Sequence, residues 1–314
     1  MTKLILPLLL VISLTYQTGF TQETEKPQPA FDFLIKYPNV RDFTLTADGN
    51  EAYFTVQNPL EELAVIVRMT KEKNKWSAPA MVSFTGHFRD IEPSLSPDGL
   101  RLYFSSDRPT KIESNESKDY DIWYVERKDL KGNWSAPINI GTPINSEKDE
   151  FYPSVARNGN LYFTTERDGA PGKDDIFVSK WNGSYSLPIP LTVAINSAGL
   201  DFNAFIDPDE KFLLYTGYAR PGNVGSGDLF ISYKNADGSW SESKSLGPII
   251  NSKYMDYCPF VDKATGTLYF TSRRSDISNH DFKTLEDFEK VVNQYENGFS
   301  RMYKVSIKEL VSSQ

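Results

Sequence analysis

Carboxylates recur at regular intervals along this chain, and their type and spacing could support chemistry. They precede a short apolar strand in each copy of a repeat, as Asp42, Asp90 with Glu92, Asp149 with Glu150, Asp201 and Asp256. Carboxylates gathered around one channel raise each other's pKa values and attract cations, and two of them can act as acid and base. Asp42, Asp149 and Asp256 are therefore the candidates for catalytic roles, and Asp90, Glu92, Glu150 and Asp201 for binding.

The recurrence also has a structural explanation. A residue present in every repeat usually meets a need of every repeat, such as accepting hydrogen bonds from backbone N–H groups where two repeats meet. Catalytic sites are normally asymmetric, because acid and base need different environments. The structural role is the preferred interpretation of these acids.

Arginines form a second recurring set, five residues after the tyrosine of an aromatic strand: Arg108, Arg167, Arg220 and Arg274. Arg108, Arg167 and Arg220 are each followed by an aspartate at the start of the next strand, Asp121, Asp175 and Asp228 respectively. We expect an Arg–Asp pair within each repeat, with bidentate geometry available. An arginine cluster that binds acidic sugars is the alternative, although the Ser-x-Asp-x-Gly-x-x-Trp pattern of sialidases is absent.

Other catalytic chemistry is sparse. The chain has two histidines and one cysteine, Cys258, which are too few for a zinc site of the usual kind, so no metal site is predicted. A single cysteine also excludes an intramolecular disulfide. The chain contains no GxSxG and no phosphate-binding glycine loop. The segments DGAPGKDD (168–175) and GNVGSGD (222–228) offer oxygen ligands for Ca²⁺ but lack the alternation of an EF-hand loop. Ordinary connections are the simpler explanation, so no cofactor is expected unless it is Ca²⁺.

The elements that carry these residues repeat about every 50 residues. Aromatic strands are marked by Tyr53, Tyr103, Tyr162, Tyr215 and Tyr269, and a turn such as Asp98-Gly99 comes before each strand. A strand bearing the acids precedes the turn, and a third strand such as DIWYVER (121–127) follows. A second turn then leads to Trp76, Trp134, Tyr185 or Trp240 and a fourth strand. Four short antiparallel strands in this length are typical of a propeller blade.

The five repeats predict an all-β, five-bladed β-propeller. A six-bladed propeller is the alternative for the number of blades, and a β-sandwich is the alternative fold. The fifth unit ends after RMYKVSIKEL (301–310) without a fourth strand. We predict that the N-terminal segment FDFLIKYPNV (31–40) supplies that strand and closes the ring, which removes two exposed sheet edges.

An insertion in the last blade, residues 281–298, has helical spacing of its apolar residues Leu285, Phe288, Val291, Val292 and Tyr295. Asp281 or Thr284 could cap this helix. Packing against the edge of the propeller is the simpler role, and a lid or a partner-binding helix is the alternative.

The N-terminus predicts export. Residues 1–21 combine Lys3, a short apolar run and small residues near Thr21, as in a secretory signal peptide. Residues 22–30 are then a flexible linker and residues 31–314 a single propeller domain, periplasmic or extracellular, with no membrane span after cleavage. The net charge of −8 argues against nucleic acid and anionic membranes as partners. We expect a monomer.

The blade pattern resembles a known repeat. The stretch DIEPSLSPDGLRLYFSSDR (90–108), followed by DIWYV, is similar to the WD40-like Pro-Asp repeat of TolB-like periplasmic propellers and of propellers attached to OmpA-type outer-membrane proteins. The Ser-Pro-Asp-Gly turn (96–99) is its most specific mark, and the tail GNWSAPINIGTPINS (132–146) resembles the version in secreted bacterial proteins. The resemblance implies the propeller fold, which hosts binding modules and enzymes alike.

Two functions follow as hypotheses. The preferred one is a non-enzymatic binding or scaffold module for an envelope protein, a peptide or a glycan. The alternative is a carbohydrate-active enzyme, a glycoside hydrolase or lyase with carboxylates at the central channel. That alternative needs two carboxylates from different blades on one pocket, roughly 5–9.5 Å apart.

Overall fold

A computed structural model describes residues 25–110, 117–278 and 281–312. The predicted signal peptide (1–21) lies outside this range. The described residues form five antiparallel sheets, one per blade, with four strands in each and one additional short strand in the first. The prediction of an all-β, five-bladed propeller is confirmed.

The strands follow the order of the sequence. Strand β1 (Gln28–Pro29) belongs to blade 5. Blade 1 contains β2 (Asn39–Leu45), β3 (Glu51–Gln57), β4 (Ala64–Glu72) and β6 (Ala80–Met81). The additional strand β5 (Lys75–Trp76) pairs with the end of β4. Blade 2 contains β7 (Asp90–Leu95), β8 (Arg101–Ser106), β9 (Asp121–Glu126) and β10 (Ile138–Asn139). Blade 3 contains β11 (Glu150–Val155), β12 (Leu161–Thr165), β13 (Asp175–Ser179) and β14 (Ile189–Pro190). Blade 4 contains β15 (Leu200–Ile206), β16 (Phe212–Tyr218), β17 (Asp228–Tyr233) and β18 (Lys244–Ser245). Blade 5 contains β19 (Asp256–Asp262), β20 (Thr267–Ser272) and β21 (Arg301–Ser306).

The inner strands β2, β7, β11, β15 and β19 contact one another in sequence and surround the central channel. The turns that lead out of them have the expected chemistry. Gly99 has φ +70°, and Asp98 accepts a hydrogen bond from the Ser96 hydroxyl at 2.6 Å. In blade 4 Glu210 takes the glycine position with φ 54°.

An N-terminal strand closes the ring, but it lies earlier than expected. Gln28 pairs with Lys304 and Pro29 with Tyr303, so the closing strand falls within the predicted linker 22–30. Residues 31–40 instead form a 3₁₀ helix (Asp32–Lys36) and enter β2. Phe31 and Leu34 are buried in the core, which a partly exposed outer strand would not allow, whereas Pro29 suits an edge.

The aromatic residue after each third strand joins neighbouring blades. The Trp134 indole N–H donates to the Tyr53 hydroxyl of blade 1 at 2.9 Å, and Trp240 packs edge-to-face on Tyr162 of blade 3. Trp76 reaches Tyr269 of blade 5 through the ring of Phe31, which contacts both. These three residues therefore join blades 1, 2 and 4 to the preceding blade of the ring.

Helices α1 (Leu285–Val292) and α2 (Lys308–Ser312) lie in or after the last blade. The Thr284 hydroxyl accepts the Asp287 N–H, so Thr284 is the cap of α1. No side chain of α1 is buried, and Leu285 is 71% exposed. Tyr295 anchors the insertion, since its hydroxyl donates to the Met302 carbonyl at 2.6 Å. None of the helices in the described part of the chain is long and apolar enough to cross a membrane.

Candidate functional site

Each inner strand carries a β-bulge at the same height in the channel. The bulge places a non-glycine residue at positive φ, between 49° and 64°, in every blade: Asp42, Glu92, Tyr152, Asn203 and Cys258. Positive φ costs a non-glycine residue on the order of 1–3 kcal/mol, and glycine would avoid this cost. Five different side chains occupy these five positions, which we call the bulge ring.

Hydrogen bonds link the bulge ring across blades. Arg41 donates to Asp42 and to Glu92, both at 2.8 Å, and the Tyr152 N–H donates to Glu92 Oε2 at 2.6 Å. The Cys258 thiol lies 3.6 Å from Asn203 Oδ1 and also 3.6 Å from the Arg41 guanidinium. This central polar cluster, the bulge ring with Arg41, crosses the channel at mid-height and separates two cavities.

Burial governs the electrostatics of the cluster. Burial raises the pKa of Glu92 to about 7, Arg41 opposes the rise, and the neighbouring Asp42 carboxylate adds to it. Burial also raises the pKa of the Cys258 thiol, with Asp42 adding to the effect. Burial alone would lower the pKa of Arg41, but the surrounding acidic groups, led by Asp42, hold it above its ordinary value. Glu92 is thus the carboxyl in this cluster that titrates near neutral pH.

The first cavity opens where the inner strands begin and has a volume of about 470 Å³; we call it the axial cavity. Aromatic residues from three elements and the loop before β9 line it: Tyr120, Phe151, Phe202 and Tyr257. Tyr120 and Phe151 have ring centroids 5.1 Å apart, and the Arg89 guanidinium lies 5.1 Å from the Tyr120 ring. The cavity therefore combines aromatic walls with a polar floor formed by Arg41, Glu92 and Asn203.

Most charges on the axial cavity are already paired. Arg89 is bonded to Asp107 at 2.8 Å, and Arg273 forms an ion pair with Glu61. Asp174 is half-buried, and burial together with the nearby Glu166 and Asp149 raises its pKa. The side-chain oxygen of the buried Gln57 has no hydrogen-bond partner among the described residues.

The second cavity lies at the other end of the channel and has a volume of about 190 Å³. Its wall is mainly apolar, with Leu45, Leu95, Val155, Phe205 and Phe260 contributed by the five blades. The Thr44 and Ser154 hydroxyls in this wall each accept a backbone N–H group of the next inner strand. The two ends of the channel thus differ in chemistry.

Four of the predicted acids occupy equivalent positions two residues before the bulge: Asp90, Glu150, Asp201 and Asp256. Each is fully buried and pairs with the repeated arginine of its own blade, as Asp90–Arg108 (2.5 Å), Glu150–Arg167 (2.8 Å), Asp201–Arg220 (2.5 Å) and Asp256–Arg274 (3.1 Å).

The arginine partners differ from those expected. The arginines reach back to the first strand of the blade instead of pairing with Asp121, Asp175 or Asp228. They also donate to backbone carbonyls of the connection that enters the blade, as Arg108 does to Phe84 at 3.1 Å and Arg167 to Pro143 at 3.0 Å. Strands one and two are direct neighbours, so an arginine just past strand two lies beside the start of strand one. These four pairs fix the connections between blades.

The three catalytic candidates do not share a cavity wall. Asp42 lies in the bulge ring, where its oxygens accept the Arg41 and Glu92 N–H groups. Asp149 is exposed and accepts the Tyr120 N–H at 2.7 Å, and Asp256 is buried in its pair with Arg274. Residues of different blades are matched by their distance from the bulge: Asp42 is equivalent to Glu92, and Glu150, not Asp149, is equivalent to Asp90.

Sequence reasoning missed Arg41, Tyr152, Asn203, Cys258 and Asp174. A usable signal existed, because the bulge position lies two residues after the repeated acid and changes type from blade to blade. The described residues contain no group of three or more His, Cys, Asp or Glu side chains that could hold a metal ion.

Comparisons with known proteins give the fold and leave the function open. No known family model matches the sequence, so the WD40-like Pro-Asp repeat family is not confirmed. No curated protein sequence matches either.

Solved structures with a similar fold include an α-L-arabinofuranosidase from Podospora anserina in complex with cellotriose (12% identity, 90% of this chain and 96% of that chain, TM-score 0.53). They include an α-L-arabinofuranosidase from Lactobacillus brevis (16% identity, 86% and 93%, TM-score 0.50). They also include a putative TolB from Agrobacterium tumefaciens (15% identity, 77% and 73%, TM-score 0.47). At these identities the two arabinofuranosidases show a likeness of fold alone, and the TolB match, with its TM-score of 0.47, adds no support.

Proposed function

We propose that this protein is an exported, non-enzymatic binding propeller that takes a glycan or a peptide of the cell envelope into the axial cavity. The observation that carries the proposal is the composition of that cavity. Aromatic rings line its wall, and hydrogen-bonding groups lie at its floor. Sugars and peptides present apolar faces beside polar edges, and pockets that bind such ligands combine the same two kinds of group.

The state of the carboxylates supports binding over catalysis. The oxygens of Asp42 and Glu92 are held by hydrogen bonds within the channel, and the other buried acids of the repeat are held by arginines. A general acid or nucleophile must reach its substrate with a free oxygen. Cavity and acids together therefore favour recognition without bond cleavage.

One observation favours the enzymatic alternative, a glycoside hydrolase or lyase. Glu92 lies on the axial cavity with a pKa raised by burial to about 7, which suits a general acid, and Asp174 lines the same cavity from another blade. For this function, ligand binding would have to release Glu92 from Arg41 or from the Tyr152 N–H.

A binding panel tests the proposal. Purified mature protein is titrated with envelope glycans and peptides, alongside the variants Tyr120→Ala and Phe151→Ala. Each variant removes one aromatic side chain from the cavity wall. It should weaken the binding of any ligand that the panel identifies at least about 10-fold, since aromatic contacts dominate such sites. Trp181→Ala is the matched control, because Trp181 is exposed on blade 3 outside this cavity.

Two results would contradict it. Ligands that bind both wall variants as tightly as the unchanged protein would place recognition elsewhere. Release of sugar products by the unchanged protein, abolished by Glu92→Gln, would establish the enzyme.

A further inference from the structure

Charge is distributed unevenly around the axial cavity. Blades 1, 2 and 5 form the side that carries its three arginines, Arg41, Arg89 and Arg273. Each arginine is balanced by carboxylates, which are, in the same order, Asp42 with Glu92, Asp107, and Glu61. The described residues on this side of the cavity therefore offer no unpaired positive charge to an acidic ligand.

The side formed by blades 3 and 4 has a different character. Five residues line it: Phe151, Thr164, Asp174, Phe202 and Asn203. Asp174 is the one charged residue of the five, and no ion pair or hydrogen bond to another described residue holds its carboxylate. Burial, Glu166 and Asp149 all act to raise the pKa of this carboxyl, and the exposed Lys173 opposes them only in part. The negative charge of Asp174 is thus left without a bonded cation.

Asp174 lies beside aromatic rings to which no described cation is bound. The Asp201 N–H donates to the Asp174 carbonyl at 2.8 Å, which places Asp174 beside the residue that precedes Phe202 in β15. Phe202 and Phe151 are each partly exposed on this cavity. The two tyrosine rings of the cavity, by contrast, already have arginine guanidinium groups 5.1 and 5.2 Å from their centroids. Since aromatic faces attract cations, the two phenylalanine rings can contact a cation that a ligand supplies.

We propose that the axial cavity binds a lysine side chain of an envelope peptide and that Asp174 selects its positive charge. The inference rests on the proposed function, because it specifies the ligand of the same cavity. An ammonium group donates hydrogen bonds and accepts none, so it complements a carboxylate that lacks donors. The methylene stem of the lysine would lie against Phe151 and Phe202 while its charged end reaches Asp174, as long cationic side chains do at apolar surfaces.

The same wall suits the amino group of a sugar less well. An amino sugar carries its ammonium on a ring surrounded by hydroxyl groups, each of which needs a hydrogen-bond partner once it is buried. Phe151 and Phe202 offer no such partner, whereas a methylene stem needs none. An acidic peptide is disfavoured as well, since it would meet Asp174 on one side and arginines that are already paired on the other. The wall therefore favours a basic peptide over a basic glycan.

Calorimetric titration with short capped peptides tests the inference. The probes are Gly-Lys-Gly and Gly-acetyllysine-Gly, which differ only by the acetyl group that removes the side-chain charge. The unchanged mature protein should bind the lysine peptide at least about 10-fold more tightly, because a hydrogen bond between charged groups contributes more than a neutral one. Asp174→Asn should abolish this preference. Asp168→Asn is the matched control, since Asp168 is exposed on the same loop outside the cavity, and the preference should remain.

Equal affinity of the two peptides for the unchanged protein would overturn the inference, and so would a preference that survives in folded Asp174→Asn. Tighter binding of a glucosamine oligomer than of the lysine peptide would overturn it too and would assign the cavity to amino sugars. Absence of lysine-peptide binding at several millimolar would have the same effect. In each case the proposed function would still stand if another ligand of the envelope panel bound and was weakened by Tyr120→Ala and Phe151→Ala.

Discussion

Glu92→Gln tests the electrostatics of the central polar cluster. Glu92 is 4% exposed, and burial raises the pKa of its carboxyl from an ordinary 4.5 to about 7. Because the folded state holds this proton more tightly than the unfolded state, the free energy of unfolding falls as pH rises between these two values. The stabilisation is complete below about pH 4.5 and is lost as pH rises through about 7.

The magnitude follows from the two pKa values. At about 1.4 kcal/mol per pH unit, ionised Glu92 costs the fold about 3 kcal/mol at alkaline pH, and most of this cost develops between about pH 5 and about pH 8. Glutamine cannot ionise, so Glu92→Gln should lack this loss. Its amide N–H₂ must face the Arg41 or Tyr152 N–H donor, which adds a cost that does not change with pH. The informative quantity is therefore the pH dependence of the difference between the two proteins.

Urea unfolding at about pH 5, 6, 7 and 8 measures that quantity. The unfolding free energy of Glu92→Gln relative to the unchanged protein should rise by about 2–3 kcal/mol across the series. Glu242→Gln changes an exposed glutamate and should show no such trend. A difference that stays constant from pH 5 to pH 8 would refute the assignment of a raised pKa to Glu92.

Three further predictions concern the frame. Arg220→Ala leaves the buried Asp201 without its partner and should lower the free energy of unfolding, measured by urea titration, by about 3–5 kcal/mol. Arg157→Ala breaks an exposed ion pair and should cost less than about 1 kcal/mol. Equal losses in the two variants would contradict a structural role for the Arg220–Asp201 pair. Trp134→Phe removes the hydrogen bond to Tyr53 and should cost about 1 kcal/mol by the same method, and no loss would mean that the bond does not stabilise the contact. A chain that starts at residue 31 lacks β1 and exposes the edge of β21, so it should melt lower and self-associate in light scattering relative to one that starts at residue 25; identical behaviour would show that β1 does not close the ring.

The sequence by itself determined the blade. Turn pairs such as Asp98-Gly99 and the tyrosines such as Tyr103 repeat because every blade has the same local need for a tight turn and a buried second strand. Because every blade has the same requirements, these residues recur at regular spacing along the sequence. The number of blades and the need for a closing strand followed from that spacing alone. The arginines were also visible as a repeat, although their partners were misassigned, because pairing within a blade depends on strand adjacency as well as on order.

The tertiary structure decided the site. The turn between the first two strands is one residue shorter in blade 3, where Val155 pairs with Leu161, than in blade 2, where Leu95 pairs with Leu102, so counting back from the tyrosine selected Asp149 instead of Glu150. Blade 1 carries its acid on the bulge itself, as Asp42. Arg41, Tyr152 and Cys258 come from different blades and lie more than 100 residues apart in sequence, and the closed ring brings them together around one axis. The candidate site is formed by residues that differ from blade to blade at the bulge position. The sequence shows that these positions differ, and the closed ring determines which of their side chains face each other.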